Sequence, residues 1–312
     1  LIIIVSTIHQ ENRTMNILVS GSTGFIGSAL VKALSQKGHF VTRLVRAKHD
    51  PSIPQVRWDP QKSEIEFESL NGIDSVVHLA GENIGDGKWT DEKKAKIFES
   101  RVIGTSFLSK TLSMLSNPPR VLVSASAVGF YGNRGDEILN ESSKQGTGFL
   151  PDLVREWEAS TWPASGIGIR VVNTRFGVVL GTDGGMLKKL LPLFKTGLGS
   201  RLGSGSQYMS WISIDDTVAA IIHCIETDSL KGPVNLVVPN PITNAVFTKT
   251  FADMVNRNEF IPVPAWALKF YYGEMADEML LASVRAIPKK LTESGYKFKY
   301  ELIWDTLKAM LS

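Results

Sequence analysis

Cysteine is almost absent from this 312-residue chain, which contains only Cys224. A single cysteine cannot form an intramolecular disulfide, so the fold must be held together by its core. Cys224 lies in the apolar stretch AAIIHCIE, which predicts a buried helix face and a structural thiol, not a reactive one. One cysteine agrees with a reducing compartment, and we expect a cytoplasmic protein.

The chain also lacks a large excess of charge of either sign. Its 34 Lys and Arg residues against 31 Asp and Glu residues give a net charge of +3, and no basic stripe stands out. We therefore expect neither nucleic acid nor an anionic membrane as a partner. The sequence has no His/Cys/Asp cluster with metal-ligand spacing, so we predict no metal site.

Long hydrophobic runs are missing as well. The N-terminal stretch LIIIVSTI has eight residues, which is too few to span a bilayer. It has neither the basic region nor the cleavage site of a signal peptide. Met15 directly precedes the first clear structural element, so we interpret residues 1–14 as an N-terminal extension outside the fold.

Strands and helices alternate along residues 15–180. Residues 17–20 form an uncharged apolar run, as in a strand buried on both faces. Ile26, Leu30 and Leu34 recur every four residues, which is typical of a helix stripe. The pattern continues with a long helix at residues 90–116 and with the stretches DSVVHLAG, RVLVSAS, DLVREWEAS and GIRVVNTRF. We predict an α/β fold with a doubly wound parallel Rossmann sheet.

The composition changes after residue 180, where glycine-rich loops surround one apolar helix. We therefore expect a nucleotide-binding domain at residues 15–180 and a smaller C-terminal α/β substrate lobe at residues 181–312. The stretch GSGSQYMSW is expected at the cleft between them. Ser204, Gln207 and Trp211 are its candidate substrate contacts, and a loop scaffold without ligand contacts is an equal alternative.

A glycine-rich turn, GSTGFIG, follows the first strand and opens the first helix. Glycine lets the backbone approach a pyrophosphate closely, and the free N–H groups at the helix start bind its negative charge. The strand before and the helix after make this motif specific for a dinucleotide. It does not end in Gly-Lys-Ser/Thr, which excludes a P-loop. The predicted binding residues are Gly21, Ser22, Thr23, Gly24, Phe25, Ile26 and Gly27.

The end of the second strand indicates which dinucleotide is bound. Folds that bind NAD carry an acidic residue there for the ribose hydroxyls. In this chain that end reads LVRAK, without a carboxylate. Arg46 is able to pair with a 2′-phosphate through its guanidinium fork, and Arg43 lies one strand turn earlier. We predict NADP(H) as the cofactor; the alternative is that these arginines are solvated surface cations.

Further stretches narrow the class of protein: HLAGENI, SRVIGT, SASAVGFYG, FLPDLVREWE, RFGVVLGTDGGML, GSGSQYMSWISIDD and IPVPAWALK. With them, residues 15–312 resemble the extended short-chain dehydrogenase/reductase superfamily. Within it, the chain is similar to the atypical epimerase family branch with a C-terminal domain of unknown function. The resemblance implies an NADP-binding Rossmann domain in which Ser126 matches the catalytic serine. The implied cofactor contacts are Leu79, Ala80, Gly81, Glu82, Arg101 and Ser124; a surface salt bridge is the alternative for Arg101.

The chain departs from the superfamily in its proton-transfer residues. The superfamily uses a tyrosine followed four residues later by a lysine, which lowers the pKa of the tyrosine and binds the nicotinamide ribose. If Glu158 aligns with the acidic residue that commonly follows this pair, Leu150 and Val154 take the two positions. Neither donates a proton. Tyr131 is the candidate replacement donor, and a packed loop aromatic is the alternative for it.

Two functions are consistent with this pattern. The first is an NADP(H)-dependent oxidoreductase or nucleotide-sugar-epimerase-like enzyme, acting on a small carbonyl or hydroxyl substrate of unknown identity. The second is an NADP(H)-binding regulatory protein, for example in cell or organelle division, with little or no turnover. The resemblance also suggests a homodimer through the helices at residues 90–116 and 149–165.

Overall fold

The computed structural model describes residues 14–47 and 50–312. The expected extension lies outside the described residues except for Thr14, as does Lys48 in the LVRAK stretch. The strands are β1 (Asn16–Ser20), β2 (Phe40–Val45), β3 (Gln55–Asp59), β4 (Glu64–Ile65), β5 (Ser75–His78), β6 (Val121–Ala127), β7 (Ile138–Leu139), β8 (Arg170–Phe176), β9 (Val178–Leu180), β10 (Tyr208–Met209), β11 (Trp211–Ser213), β12 (Gly232–Leu236), β13 (Ile242–Thr243) and β14 (Arg285–Ala286).

The helices surround these strands. They are α1 (Phe25–Gln36), α2 (Asp91–Phe98), α3 (Gly104–Ser113), α4 (Phe149–Ala159), α5 (Trp162–Gly166), α6 (Gly185–Lys195), α7 (Ile214–Glu226), α8 (Asn244–Met254), α9 (Ala265–Tyr272), α10 (Lys289–Glu293) and α11 (Ile303–Leu311). Short 3₁₀ turns occupy Phe67–Leu70 and Val128–Tyr131, and π-helical turns occupy Glu99–Ile103 and Ala276–Leu280. Within the two described ranges, no helix is both long enough and apolar enough to cross a membrane.

Eight strands form the central sheet, in the order β12-β8-β6-β5-β1-β2-β3-β4. Neighbouring strands pair in parallel except for β3 and β4. The chain order reverses at β1, which has β2 on one side and β5 on the other. The predicted doubly wound α/β fold is therefore confirmed. Ligands of such sheets bind at the carboxyl ends of the strands next to this reversal.

Side chains of the central strands alternate between two cores, as the pleat of a β-strand requires. Ile17 and Val19 of β1 belong to a core that also contains residues of α1 and α7, including Cys224. Leu18, between them, belongs to the core that contains residues of α3 and α5. Cys224 is fully buried, and burial raises the pKa of its thiol to about 12, so the structural interpretation of this cysteine is correct.

The expected domain boundary at residue 180 does not divide the sheet from a separate lobe. Strand β12 pairs with β8 at the sheet edge, with Val234 opposite Thr174. Helix α7 packs against α1 and contributes to the main core. Strand β12 is thus part of the central sheet, and α7 packs on it with α1. The glycine-rich composition after residue 180 marks loops at its carboxyl edge, and it does not mark the start of a new unit.

The predicted long helix forms as α2 and α3, joined by the π-helical turn at Glu99–Ile103. Thr90 caps its start, because its hydroxyl accepts a hydrogen bond from the Lys93 backbone N–H at 3.2 Å. A π-helical turn inserts one extra residue and rotates the side chains around it, and such turns are frequent at functional sites. Arg101 lies in this turn.

The C-terminal segment is fastened to the sheet by Asp216 at the start of α7. This carboxylate is almost fully buried and accepts hydrogen bonds from the Lys299 and Tyr300 backbone N–H groups, at 2.6 and 3.1 Å. The Tyr296 hydroxyl donates to the Asp216 carbonyl oxygen at 3.0 Å and lies 3.2 Å from Asp216 Oδ1. Two backbone N–H groups and one side-chain hydroxyl, that of Tyr296, thus tie residues 296–300 to α7.

Candidate functional site

The glycine-rich loop forms the centre of the candidate cofactor site. Gly21 has φ +64°, a left-handed conformation that favours glycine, and its backbone lies against the next strand. A methyl group on Gly21 would lie 2.8 Å from the Leu79 carbonyl carbon, and one on Gly27 would overlap the Gly21 carbonyl oxygen. The loop therefore has no room for side chains at either position. Its backbone N–H groups and the start of α1 face the edge where ligands bind.

Two side chains of this loop differ in their surroundings. Ser22 is 2% exposed, and its Oγ has no hydrogen-bond partner among the described residues. Because this oxygen is enclosed, a ligand at the loop would contact the backbone of Ser22 and not its hydroxyl. Phe25 instead packs its ring against Gly181 and Gly184, where added methyl groups would lie 2.7 and 2.5 Å from ring carbons. Phe25 is partly buried, and Ile26 packs against the main core.

The end of β2 presents cations where a ribose would lie. Arg46 is the first residue after the strand and is exposed, and it makes no ion pair with any described residue. Arg43 lies within β2 and is partly buried. The next carboxylate, Asp50, is turned into its own loop, because its Oδ1 accepts hydrogen bonds from the Ser52 backbone and hydroxyl at 2.9 and 2.6 Å. These bonds lower the pKa of Asp50.

The end of β5 is held by a buried histidine. Ser20 Oγ accepts hydrogen bonds from the Leu79 and Ala80 backbone N–H groups, so its own hydrogen points to His78 Nδ1 at 2.6 Å. His78 Nε2 then donates to Thr105 Oγ1 at 3.1 Å. Burial lowers the pKa of His78 to about 4, so the ring is neutral. His78 is thus a structural residue beneath the predicted cofactor contacts.

Beyond β5, two cations surround Glu82. Lys93 Nζ lies 2.7 Å from Glu82 Oε1, and this hydrogen bond lowers the pKa of Glu82. Arg101 Nη1 donates to the Glu82 carbonyl oxygen at 3.0 Å. A methyl group on Gly81 would lie 3.5 Å from Arg101 Cζ. The structure therefore brings Gly81, Glu82 and Arg101 together next to the glycine loop. We call these three residues, residues 21–27 and the end of β2 the cofactor side.

The region around the ends of β6 and β8, which we call the α4 side, contains a buried polar network. Ser126 is 2% exposed and donates to Glu158 Oε1 at 2.6 Å. Arg175, opposite Ser126 in the sheet register, donates to both oxygens of Glu158, at 2.7 and 2.8 Å. Because a carboxylate only accepts hydrogen bonds, the hydrogen of Ser126 is committed to Glu158. Ser126 offers a ligand only its lone pairs.

Tyr131 closes the same network and does not reach the cleft. It is fully buried, and its hydroxyl donates to Asn235 Oδ1 at 2.8 Å and accepts from Arg175 Nη1 at 3.1 Å. Burial raises the pKa of Tyr131, which makes its proton harder to release. The geometry therefore opposes Tyr131 as the replacement proton donor, and the packed-aromatic alternative fits its position. Ser124 is also fully buried, so no surface of it is available to a cofactor.

The candidate substrate residues have structural partners. Trp211 is fully buried in the main core, with Nε1 3.3 Å from the Asn240 carbonyl oxygen, which opposes a substrate contact. Gln207 Nε2 donates to the carbonyl oxygens of Leu202 and Leu280, at 3.1 and 3.0 Å. Ser204 is exposed, with its Oγ 2.8 Å from that of Ser206. For Trp211 and Gln207 the scaffold alternative describes the structure better.

Residues 17–238 match the NAD dependent epimerase/dehydratase family, and residues 263–310 match a domain of unknown function, DUF1731. The chain belongs to the NAD dependent epimerase/dehydratase family. The epimerase family protein MT2273 of Mycobacterium tuberculosis is 43% identical over 291 residues, covering 93% of this chain and 96% of that protein. The resemblance to the epimerase family branch is thereby confirmed.

Two solved structures of relatives share the fold. Human epimerase family protein SDR39U1 (isoform 2), crystallised with NADPH, has a TM-score of 0.86 and 32% identity; the match covers 95% of this chain and 99% of that one. A nucleoside-diphosphate sugar epimerase from Corynebacterium glutamicum has a TM-score of 0.80 and 36% identity, covering 96% of this chain and 59% of that one. The likeness spans both the sheet and the C-terminal segment.

The start of α4 departs from the pattern that the resemblance implies. Leu150 and Val154, at the positions that the resemblance assigns to tyrosine and lysine, are both buried apolar residues. The helix begins without a side-chain cap of its own. Instead, the carboxylate of Glu278 accepts hydrogen bonds from the Phe149 and Leu150 backbone N–H groups, at 3.1 and 3.0 Å. A carboxylate at a helix N-terminus also interacts favourably with the helix dipole.

Sequence reasoning missed the network behind Ser126. In the sequence analysis Glu158 served only to align the chain with the superfamily. Arg175 and Asn235 were not considered there. Arg175 did leave a signal, because an arginine inside the apolar strand RVVNTRF must find a buried partner. The identity of that partner depends on how α4 crosses the sheet, which the strand itself does not encode.

Proposed function

We propose that this chain binds NADP(H) on the cofactor side and uses it for hydride transfer, as an oxidoreductase or nucleotide-sugar-epimerase-like enzyme acting on a small carbonyl or hydroxyl substrate. The observation that carries the proposal is the glycine loop, whose positions 21 and 27 have no room for a side chain. NADP(H), when bound, supplies or accepts the hydride. The chain's residues bind and orient it.

The cations at the end of β2 support NADP(H) over NAD(H). Arg46 is exposed, and Asp50 is bonded within its own loop, so a ribose here would meet a guanidinium and not a carboxylate. Guanidinium groups pair with phosphates through two parallel hydrogen bonds. The NADPH in the crystal structure of the human relative agrees with this assignment.

Isothermal titration calorimetry with NADPH and NADH tests the cofactor assignment. We expect Arg46→Ala to weaken NADPH binding about tenfold or more and to leave NADH binding nearly unchanged, because only NADPH carries the 2′-phosphate. Arg57→Ala, at an exposed arginine of β3 that pairs with Glu64, is the matched control. An equal loss for both nucleotides would refute the 2′-phosphate contact.

A second candidate function is an NADP(H)-binding regulatory protein with little or no turnover. The α4 side favours it: Ser126 and Tyr131 are bonded within the protein, and the residues at positions 150 and 154 are apolar. None of these four residues holds a proton ready for a ligand. The family's tyrosine and lysine therefore have no counterpart among them.

Turnover assays separate the two functions. The purified chain, loaded with NADPH or NADP⁺, is followed at 340 nm with quinones, aldehydes and secondary alcohols. Nucleotide sugars are assayed by chromatography of the products, because an epimerase returns the hydride and leaves no net change in absorbance. Turnover that is lost in Ser126→Ala but kept in Ser69→Ala, at an exposed serine, supports the enzyme. Tight NADPH binding with neither cofactor oxidation nor an epimerised product supports the regulatory protein.

A homodimer through the helices flanking the sheet is part of this proposal. Met114, beyond α3, and Trp162, at the start of α5, are exposed by 65% and 72%. Large exposed apolar side chains of this kind are frequent at interfaces. Light scattering after gel filtration tests it: we expect twice the chain mass for the wild type and a monomer for Trp162→Glu.

A cytoplasmic location also belongs here as a proposal. The single cysteine is buried and free, so folding needs no disulfide and no oxidising environment. Fluorescence microscopy of the tagged full chain in its source cell tests it.

A further inference from the structure

Arg101 is a largely desolvated cation with few protein partners. Its Nη1 donates to the Glu82 carbonyl oxygen at 3.0 Å, and the described residues make no other hydrogen bond to its guanidinium. Arg101 as a whole is partly buried, so its side chain is not sealed within the protein. Burial lowers the pKa of Arg101 to about 10, which still leaves it protonated near neutral pH. Four free N–H donors on a desolvated cation favour an oxygen-rich ligand.

The guanidinium lies between the glycine loop and Ser126. A methyl group on Gly81, three residues beyond β5, would lie 3.5 Å from Arg101 Cζ. In the sheet order, β5 separates β1, which leads into the glycine loop, from β6, which carries Ser126. A dinucleotide crosses this kind of sheet with its pyrophosphate at the glycine loop. Since the adenosine half lies toward β2, the end of β5 belongs to the nicotinamide half.

Arg101 also contacts the helix from which the family's lysine is missing. Its Cζ lies 5.1 Å from the centroid of the Trp157 ring on α4. Trp157 and Val154 are three residues apart and share a face of that helix. The π-helical turn brings the guanidinium beside the face on which the lysine would stand.

We propose that Arg101 binds the nicotinamide-ribose half of NADP(H) and replaces the cation that is absent at Val154. This inference rests on the NADP(H) binding proposed above. A guanidinium donates two hydrogen bonds in a fixed fork, which suits neighbouring ribose and phosphate oxygens. Because it stays protonated, Arg101 binds and orients the cofactor but moves no proton.

Calorimetry with two ligands tests the proposal on the full chain. NADP⁺ contains both halves of the dinucleotide, whereas 2′,5′-ADP contains only the adenosine half with its phosphates. We expect Arg101→Met to weaken NADP⁺ binding by about ten- to a hundredfold and 2′,5′-ADP binding by less than about twofold, because the guanidinium contacts are lost in one ligand only. Arg101→Lys keeps the charge without the fork, and its loss for NADP⁺ should be smaller.

Lys110→Met is the matched control, because it removes one positive charge from the exposed face of α3. It should change neither affinity. An Arg101→Met variant with unchanged NADP⁺ affinity, or with equal losses for both ligands, would overturn the assignment. If Arg101→Met does not fold, the same comparison in Arg101→Lys decides it. A wild type that binds neither ligand refutes the proposed function itself, whereas binding that is insensitive to Arg101 refutes only this inference.

Discussion

The cofactor side and the α4 side lie one strand apart and differ in what their polar groups contact. On the cofactor side, Arg101 uses one of its five N–H donors in hydrogen bonds to the described residues. On the α4 side, Ser126, Glu158 and Arg175 are bonded to one another. On the cofactor side, N–H donors are left unpaired and can bind a ligand. On the α4 side, the polar groups are already paired with one another. The difference explains why a cofactor is easier to assign to this chain than a reaction.

Removing Glu158 should give the largest effect on stability. Glu158→Ala leaves the buried guanidinium of Arg175 without its carboxylate, and breaking a buried pair costs about 3–5 kcal/mol of the free energy of unfolding. Urea denaturation measures it. Glu156→Ala, in an exposed pair with Arg155 on the same helix, should cost less than about 1 kcal/mol.

The double variant Glu158→Ala/Arg175→Met sharpens this comparison. Removing both charges should recover part of the loss, because no unpaired ion remains buried. A double variant that is less stable than the sum of its single losses would show that the α4 side is not an isolated ion-pair network.

Acid should destabilise the cofactor side through His78. The folded pKa is about 4, below the ordinary 6.5, so the neutral ring stabilises the fold fully above about pH 6.5, and this contribution is lost as the pH falls toward 4. The shift corresponds to roughly 3 kcal/mol at most. His78→Asn should be less stable at pH 7.5 but should show a flatter dependence between pH 7 and 4.5. Denaturant midpoints across this range measure it, and parallel curves for the two proteins would contradict the assignment.

Gly27→Ala should weaken cofactor binding by about tenfold or more. A methyl group there overlaps the Gly21 carbonyl oxygen, so the loop must move away from the position that receives a pyrophosphate. NADPH calorimetry is the measurement. In Gly166→Ala the nearest atom outside the local backbone is 4.0 Å away, so this control should bind normally. Equal affinity of Gly27→Ala and the wild type would place the cofactor elsewhere.

Tyr131→Phe should have the smallest effect of the four. It removes the hydroxyl between Asn235 and Arg175, which should cost about 1–2 kcal/mol in urea denaturation and leave NADPH affinity unchanged. Tyr271→Phe, at a tyrosine that is 66% exposed, is the control. Turnover that disappears in Tyr131→Phe without a change in stability would restore Tyr131 as the proton donor.

The sheet and the glycine loop were predictable because they depend on local pattern. The apolar run before Gly21 and the four-residue repeat of Ile26, Leu30 and Leu34 fix strand, turn and helix from neighbours in the sequence. The return of β12 to the sheet edge was not predictable in this way. Its partner β8 lies about sixty residues earlier, and a short strand after a helix looks the same whether it joins the main sheet or a separate one.

The hydrogen-bond partners of individual polar side chains were the hardest feature to predict from the sequence. Ser126 and Tyr131 were placed near the cleft because both lie at the end of β6. Whether such a hydroxyl faces a ligand or the protein depends on α4 and β12, which supply Glu158 and Asn235. Trp211 was misplaced for a related reason, since its glycine-rich surroundings suggested a surface loop while β11 pairs with β9 inside the core.

The contact of Glu278 with α4 has a consequence for protein engineering. The carboxylate that caps this wall of the cleft comes from a residue 129 positions after Phe149, within the DUF1731 match. Grafting the C-terminal segment of another relative, or ending the chain before residue 263, would therefore change the first turn of α4 as well as the segment itself. A chimera designed at this junction has to carry the glutamate along with the graft, because Gly148 has φ +124° and a serine or aspartate cap at that position would be strained.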